Sequence, residues 1–205
     1  MRYTWPKYKI VRREGINVFG SDKYDVKKRR GIPGQHGSTM PRLSEYGKLL
    51  RNKQVLKRSY GMAEKPFAKL VKVTASRYAK NKSLGHDKVL LQFLERRLDA
   101  VIYKAGLANT IMQARQMVTH GHFLLNGQKH NVPSYFVNEK DVFSLRPKVA
   151  KSSLYENAFS HANTDLAWLK VNKADKTVEV LTLPDVEGLQ TQADVLKVIE
   201  FYARA

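Results

Sequence analysis

Cysteine is absent from the 205 residues, which excludes disulfides and thiolate-held metal. Acidic side chains are few beside basic ones, 18 against 37, giving a formal net charge of +19. A surplus of this size calls for an anionic partner, and nucleic acid fits it best. No apolar run approaches the ~18 residues a membrane span requires, so no membrane partner is expected. The opening residues MRYTWPKYKIVRREG lack the apolar centre of a secretory signal. Also missing are the phosphate-binding GxxxxGK(S/T), the GxSxG elbow and the HExxH helix. His120, His122 and His130 have no carboxylate or thiolate to complete a ligand set, so no metal and no cofactor are expected. Glu95 and Asp99 stand one helical turn apart but sit among Arg96, Arg97 and Lys104, which points to ion pairing rather than acid–base work. Nothing here argues for catalysis.

What is present is a core-forming hydrophobic fraction, 42%, in a length that suits one or two modest domains. The positive charge is unevenly placed. Residues 151–205 hold 6 basic and 8 acidic side chains, so residues 1–150 hold 31 and 10. The surface for a polyanion therefore belongs to the first three quarters of the chain.

Residues 91–145 carry the clearest local code. Leu91, Leu94, Leu98, Val101, Ile102 and Ala105 recur at helical spacing, which predicts one helix ended by Gly106. Thr110 to Gln113 reads as a capping box opening a second helix, with Ile111, Ala114 and Val118 inward and Gln113, Gln116 and His120 outward. Gly121 ends it. Residues 123–125, Asn126-Gly127 and 128–132 then predict a hairpin with a type I′ turn. Residues 142–145 predict a further strand after a turn at Asn138-Glu139-Lys140.

Two short helices before a small sheet resemble the compact RNA-binding motif named for the fourth protein of the small ribosomal subunit. The resemblance rests on Arg97-Leu98-Asp99, Ala114-Arg115-Gln116, His120-Gly121, Asn126-Gly127 and Val132-Pro133-Ser134-Tyr135. The motif covers about a quarter of the chain and occurs in several RNA-handling proteins, so alone it implies RNA binding and no more.

Residues 1–42 are poorly periodic, punctuated by Gly15, Gly20, Gly31, Gly34, Gly37, Pro6, Pro33 and Pro41, and carry the run Lys27-Lys28-Arg29-Arg30. They are expected to be mobile in the free protein and to take their order from RNA, or to be a disordered basic tail. Within and after them come Arg12-Arg13-Glu14-Gly15, Pro33-Gly34-Gln35-His36-Gly37, Pro41-Arg42-Leu43-Ser44, Tyr46-Gly47, Leu50-Arg51, Lys53-Gln54, Arg58 and Tyr60-Gly61. In this order, ahead of the motif, they are similar to the N-terminal domain of the same ribosomal family. Residues 44–60 predict a helix with Ser44 as N-cap, Gly61 as stop, and Tyr46, Leu49, Leu50, Leu56 and Tyr60 as a buried stripe. Residues 64–80 predict a second helix, and 81–86 a short hinge.

After Val149 the composition changes. Residues 168–171 and 177–182 predict paired strands, Leu183-Pro184-Asp185 breaks the pattern, and 193–203 predict an amphipathic helix bearing Val195, Leu196, Ile199, Phe201 and Tyr202. The segments WLKV and VIEFYAR resemble the C-terminal part of the same family.

The chain is thus identified as a member of the family of small-subunit ribosomal protein four, of bacterial or organellar type. The resemblance implies an α+β fold: a mostly helical, discontinuous first domain with an inserted module of two helices and a small antiparallel sheet. Residues 1–90 would form the first domain, 91–150 the module, and 151–205 C-terminal strands and a helix packing back on the first domain. It implies a cytoplasmic, ribosome-bound structural protein, not an enzyme. Such a protein binds the five-prime domain of small-subunit rRNA early in assembly. It touches neighbouring proteins, the fifth above all, contributes to translational accuracy, and lies near the side where mRNA enters. Phosphate contacts by shape would fall to Arg12, Arg13, Gln35, His36, Arg42, Arg51, Lys53 and Arg58 in the first domain. In the module they would fall to Arg97, Arg115, Gln116, His120, Asn126 and Lys129. Asn126 equally reads as a turn residue, and Arg97 as a partner of Asp99 or Glu95. Two departures matter. The family's basic residues after PGQHG are replaced by Ser38-Thr39-Met40, which weakens an mRNA contact there. The zinc-holding cysteine cluster of some members is absent, so packing or RNA must hold that segment. Rival readings are an RNA-modifying enzyme such as a pseudouridine synthase, for which 151–205 is too short to form a catalytic domain, and a free-standing RNA-binding regulator, which would not need residues 33–61.

Overall fold

A computed structural model describes residues 6–26, 31–39, 42–80, 84–150, 152, 155, 166–184 and 191–204. The expected turn residue Asp185, the hinge residues 81–83 and the run 27–30 lie outside the described residues. The chain packs as two units, residues 1–91 with 189–205, and residues 92–188.

The first unit is helical. Helix α1 (Lys7–Glu14) was not expected in a stretch read as poorly periodic. It is short, ends at Gly15 in the left-handed region (φ 71), and is anchored by one buried side chain, Val11. Val18 and Phe19 are buried just beyond it, and the Tyr8 hydroxyl donates to the Asp25 carbonyl at 3.3 Å. Part of the segment expected to depend on RNA therefore has protein contacts of its own. Helix α2 (Glu45–Ser59) begins where the Ser44 hydroxyl accepts from the Gly47 amide at 3.2 Å. Its buried face is Leu49, Val55 and Leu56, whereas Tyr46, expected to be buried, is 61% exposed. Helix α3 (Glu64–Lys80) has the predicted bounds and buries Phe67, Leu70, Val71 and Thr74. The last helix of the chain, Val195–Arg204, buries Val195, Val198 and Phe201 against α2 and α3. It is capped by Asp194, whose carboxylate accepts the amides of Leu196 (3.1 Å) and Lys197 (3.4 Å). Among the described residues no helix is long and apolar enough to cross a membrane.

The helix predicted over 91–105 is in fact two, α4 (His86–Glu95) and α5 (Leu98–Lys104). The break at Arg96-Arg97 is made by a distant strand-like segment. Val137 donates its amide to the Arg96 carbonyl at 2.9 Å, Leu98 donates to Tyr135 at 2.9 Å, and Asp99 to Pro133 at 3.2 Å. Arg97 is accordingly extended (φ −65, ψ 137). Hydrophobic period cannot reveal such a break, because both helices bury the same stripe.

In the second unit α5 packs on α6 (Ile111–Thr119), whose capping box forms: the Thr110 hydroxyl accepts from the Gln113 amide at 3.2 Å. The Gln113 side chain reaches back one residue further than expected and accepts from the Asn109 amide at 2.9 Å. Five antiparallel strands follow: β1 (Phe123–Leu125), β2 (Gln128–Lys129), β3 (Val142–Leu145), β4 (Leu169–Asn172) and β5 (Thr177–Val180). A one-turn helix, α7 (Pro147–Ala150), leaves β3. The sheet order is β2-β1-β3-β5-β4, with Phe143 opposite Leu125 on one side and Val178 on the other. Here the expected division of the chain is corrected. The strands of 151–205 extend the module's own sheet, and only the final helix, α8 (Val195–Arg204), belongs with the first unit. The inner face of the sheet closes on α5 and α6 through Val101, Val118, Phe123, Phe143, Trp168 and Val178.

Candidate nucleic-acid interface

In the first unit the basic residues divide by what they touch. The Arg12 guanidinium donates to the carbonyls of Gly31 (3.0 Å) and Ile32 (3.2 Å), tying α1 to the loop 31–39. This arginine thereby holds part of the segment that lacks metal-binding cysteines. The loop folds tightly on itself, with Gly37 donating to Gly34 at 3.2 Å and Thr39 to His36 at 3.2 Å. A Cβ at Gly37 would collide with the Ile32 carbonyl oxygen, which is why glycine stands there. Gln35 and His36 point to solvent at its tip, and Arg13 and Arg42 are also exposed.

Arg51 and Arg58, seven residues apart on one face of α2, both donate to the same oxygen of Glu14, Arg51 at 3.0 Å. The Glu14 side chain is shut off from solvent, while those of Arg51 and Arg58 keep 31% and 21% of their surface. Burial pushes the Glu14 carboxyl above its ordinary range, opposed by the charges of Arg51, Arg58 and Arg13. Lys53 corrects the sequence reading. It is only 6% exposed, donates to Glu64 at 2.8 Å, and sits 4.4 Å from the Phe201 ring centre. Lys57 donates to the other oxygen of Glu64 at 2.7 Å, and the Tyr202 hydroxyl adds a third bond at 2.7 Å.

In the second unit Asp99 plays the part of Glu14. Arg97 donates to both of its oxygens (3.1 and 2.9 Å), and Arg115 donates twice to one of them (2.9 and 2.6 Å). Arg97 is 6% exposed and Asp99 is fully buried, so Arg97 is an ion-pair residue of the core, the alternative its neighbours allowed. Arg115 keeps 20% of its side-chain surface. Asn126, which is exposed, has a structural part. It takes the left-handed first position of the hairpin turn (φ 48, with Gly127 at φ 81), accepts from the Val142 amide at 2.9 Å, and donates to Asp141 at 2.9 Å. Asp141, 7% exposed, also accepts from the Tyr135 hydroxyl (3.2 Å) and the Asn138 amide (2.8 Å), so it locks both turns of the module.

Of the expected contact residues, those left exposed on this unit are Gln116 and His120 on and just after α6, Asn126 in the turn, and Lys129 on β2. The methylenes of Lys129 lie against Gly121, just beyond the C-terminal end of α6, where no side chain intervenes. His122, half-buried, has its pKa lowered by burial and by the positive charges of His120 and Arg146, and its Nδ1 lies 2.6 Å from the Tyr155 hydroxyl. The residues that sequence reasoning missed are two acids, Glu14 and Asp141, which with Asp99, already read as an ion-pairing acid, organise the basic and turn residues. The triplet Arg97-Leu98-Asp99 and the 13–14 Arg-Glu pair were the available signals.

A family model described as the ribosomal protein S4/S9 N-terminal domain matches residues 2–95, and one described as the S4 domain matches residues 96–143. The chain is 38% identical to small ribosomal subunit protein uS4A of Symbiobacterium thermophilum, with 99% of each chain covered. It is 37% identical to the uS4 proteins of Halothermothrix orenii and of Clostridioides difficile, again over 99% of each chain.

Proposed function

Because this chain belongs to the uS4 family of small ribosomal subunit proteins, we propose that it binds the five-prime domain of small-subunit rRNA early in assembly and holds the RNA helices that join there. It is a structural constituent of the small ribosomal subunit and an rRNA-binding protein; its relatives are ribosomal proteins and not enzymes. The observation that carries the finer reading is that both units, after their internal ion pairs are made, still present basic and polar side chains to solvent. In the first unit these are Arg13, Gln35, His36 and Arg42, with the outer edges of Arg51 and Arg58. In the second they are Gln116, His120 and Lys129, with the outer edge of Arg115. Two cationic surfaces on one chain suit contacts to phosphates of separate RNA helices, a recognition by shape rather than by base.

The same reading includes contact with the fifth protein of the subunit, a part in translational accuracy, and a place in the cytoplasmic or an organellar ribosome. An mRNA contact at Ser38 and Thr39 has less support, since both are exposed but neither is charged. Filter binding of the purified protein to isolated rRNA fragments is the test. Preference for the five-prime domain fragment is expected, and equal affinity for an unrelated RNA of the same length would overturn the specific claim.

A further inference from the structure

Glu14 is an acid in an awkward place. It closes α1 at its C-terminal end, where the helix dipole disfavours a negative charge. Its side chain has no solvent contact, and one of its oxygens has no hydrogen-bond partner among the described residues. Around it are three cations, Arg13, Arg51 and Arg58, so the cluster carries surplus positive charge in a partly dry setting. The two arginines of α2 donate to one and the same oxygen. Their guanidinium groups are therefore held side by side, and both side chains keep part of their surface in solvent, although the Arg58 Nε is buried and has no partner among the described residues.

The neighbouring acid Glu64 shows what a purely structural cluster looks like here. Its side chain is 45% exposed while those of its cations Lys53 and Lys57 are covered, at 7% and 12%. At Glu14 the order is reversed: the acid is inside and the cations are outside. Asp99 has the same inside-out order, though only Arg115 of its two arginines keeps appreciable surface.

We propose that Glu14 is a positioning residue for phosphate binding: it holds Arg51 and Arg58 together at the surface of the first unit, so that removing this negative charge weakens the protein's hold on a polyanion. This rests on the rRNA-binding reading and adds a sign to it. If charge alone mattered, Glu14→Gln, which adds one to a net charge of +19, would tighten RNA binding. If Glu14 positions the arginines, binding weakens, by about tenfold, the size of one lost charge-assisted hydrogen bond.

The experiment is filter binding of the full chain to the five-prime domain fragment and to an unrelated RNA of equal length, over a series of KCl concentrations. The proteins are wild type, Glu14→Gln, Arg51→Gln/Arg58→Gln, and the triple variant, each checked for folding by circular dichroism. Expected are weaker binding and a shallower salt slope for Glu14→Gln on both RNAs, and no further loss when it is added to the arginine pair. Equal or tighter binding by Glu14→Gln, or full additivity with the arginine changes, overturns the proposal. Should Glu14→Gln melt below the assay temperature, Glu14→Asp is measured instead. It keeps the charge but withdraws the oxygen, and unchanged affinity there overturns the proposal equally. Loss of preference between the two RNAs by wild type would refute the rRNA reading and leave the Glu14 comparison valid.

Discussion

Asp99→Ala should destabilise the second unit severely. In the folded chain this carboxylate accepts four hydrogen bonds from two arginines and a fifth from the Ala100 amide at 3.0 Å. Arg97 is buried at 6% exposure and cannot turn to water without breaking the backbone bonds of Leu98 and Asp99 to the 133–135 segment. Removing the acid strands its charge in the core. Breaking a buried pair in this way costs about 3–5 kcal/mol, against about 0–1 kcal/mol for an exposed pair. For a unit of this size that is a fall in melting temperature of at least ~12 °C. Arg115→Ala, which leaves the Asp99–Arg97 bonds in place, should cost far less. The chain has two tryptophans, so in a Trp5→Phe background the fluorescence of Trp168, buried in this core, reports the second unit alone. Urea titrations of the three proteins then give the comparison. A loss within about 1 kcal/mol for Asp99→Ala would show that the cluster is hydrated and that Arg97 is free to serve RNA.

Truncation after Leu183 removes α8 and uncovers the face of α2 that Val198 and Phe201 bury; thermal stability should fall while the salt slope of RNA binding stays nearly unchanged, and a flattened slope would refute this. Burial alone would raise the pKa of Glu64, but hydrogen bonds from Lys53, Lys57 and Tyr202 outweigh it and hold the group at about 2, below the ordinary 4.5. A carboxylate depressed in the folded state stabilises above its unfolded value and loses that contribution as pH falls from about 4.5 to about 2. Glu64→Gln should flatten the acid limb of the stability curve in that window, and an unchanged limb would count against the pairing. Gly37→Ala forces open the loop 31–39 and should reduce rRNA affinity a few-fold with little change in melting temperature; full affinity would show that Gln35 and His36 are not presented by this loop.

The sequence alone determined what short range can determine. Ser44 and Gly61 bound α2, Thr110 and Gly121 bound α6, and Asn126-Gly127 sets the hairpin, because caps, stops and left-handed turns act through neighbours within a few residues. The charge contrast between the two parts of the chain, and the spaced motifs, were likewise legible. Tertiary structure decided the rest. The break between α4 and α5 comes from backbone bonds to residues some forty positions away, and the 169–180 hairpin joins β3 through pairs no local pattern encodes. Which basic residues remain for RNA was decided the same way. Lys53 looks no different in sequence from Arg13 and Arg42, and Arg97 read equally as an RNA contact or as a partner of Asp99 or Glu95, yet Glu64 and Asp99 take these two into the interior. The physical reason is that an ionised side chain enters a core only when an opposite charge is already waiting there, and which acid meets which base is settled by packing, not by spacing along the chain.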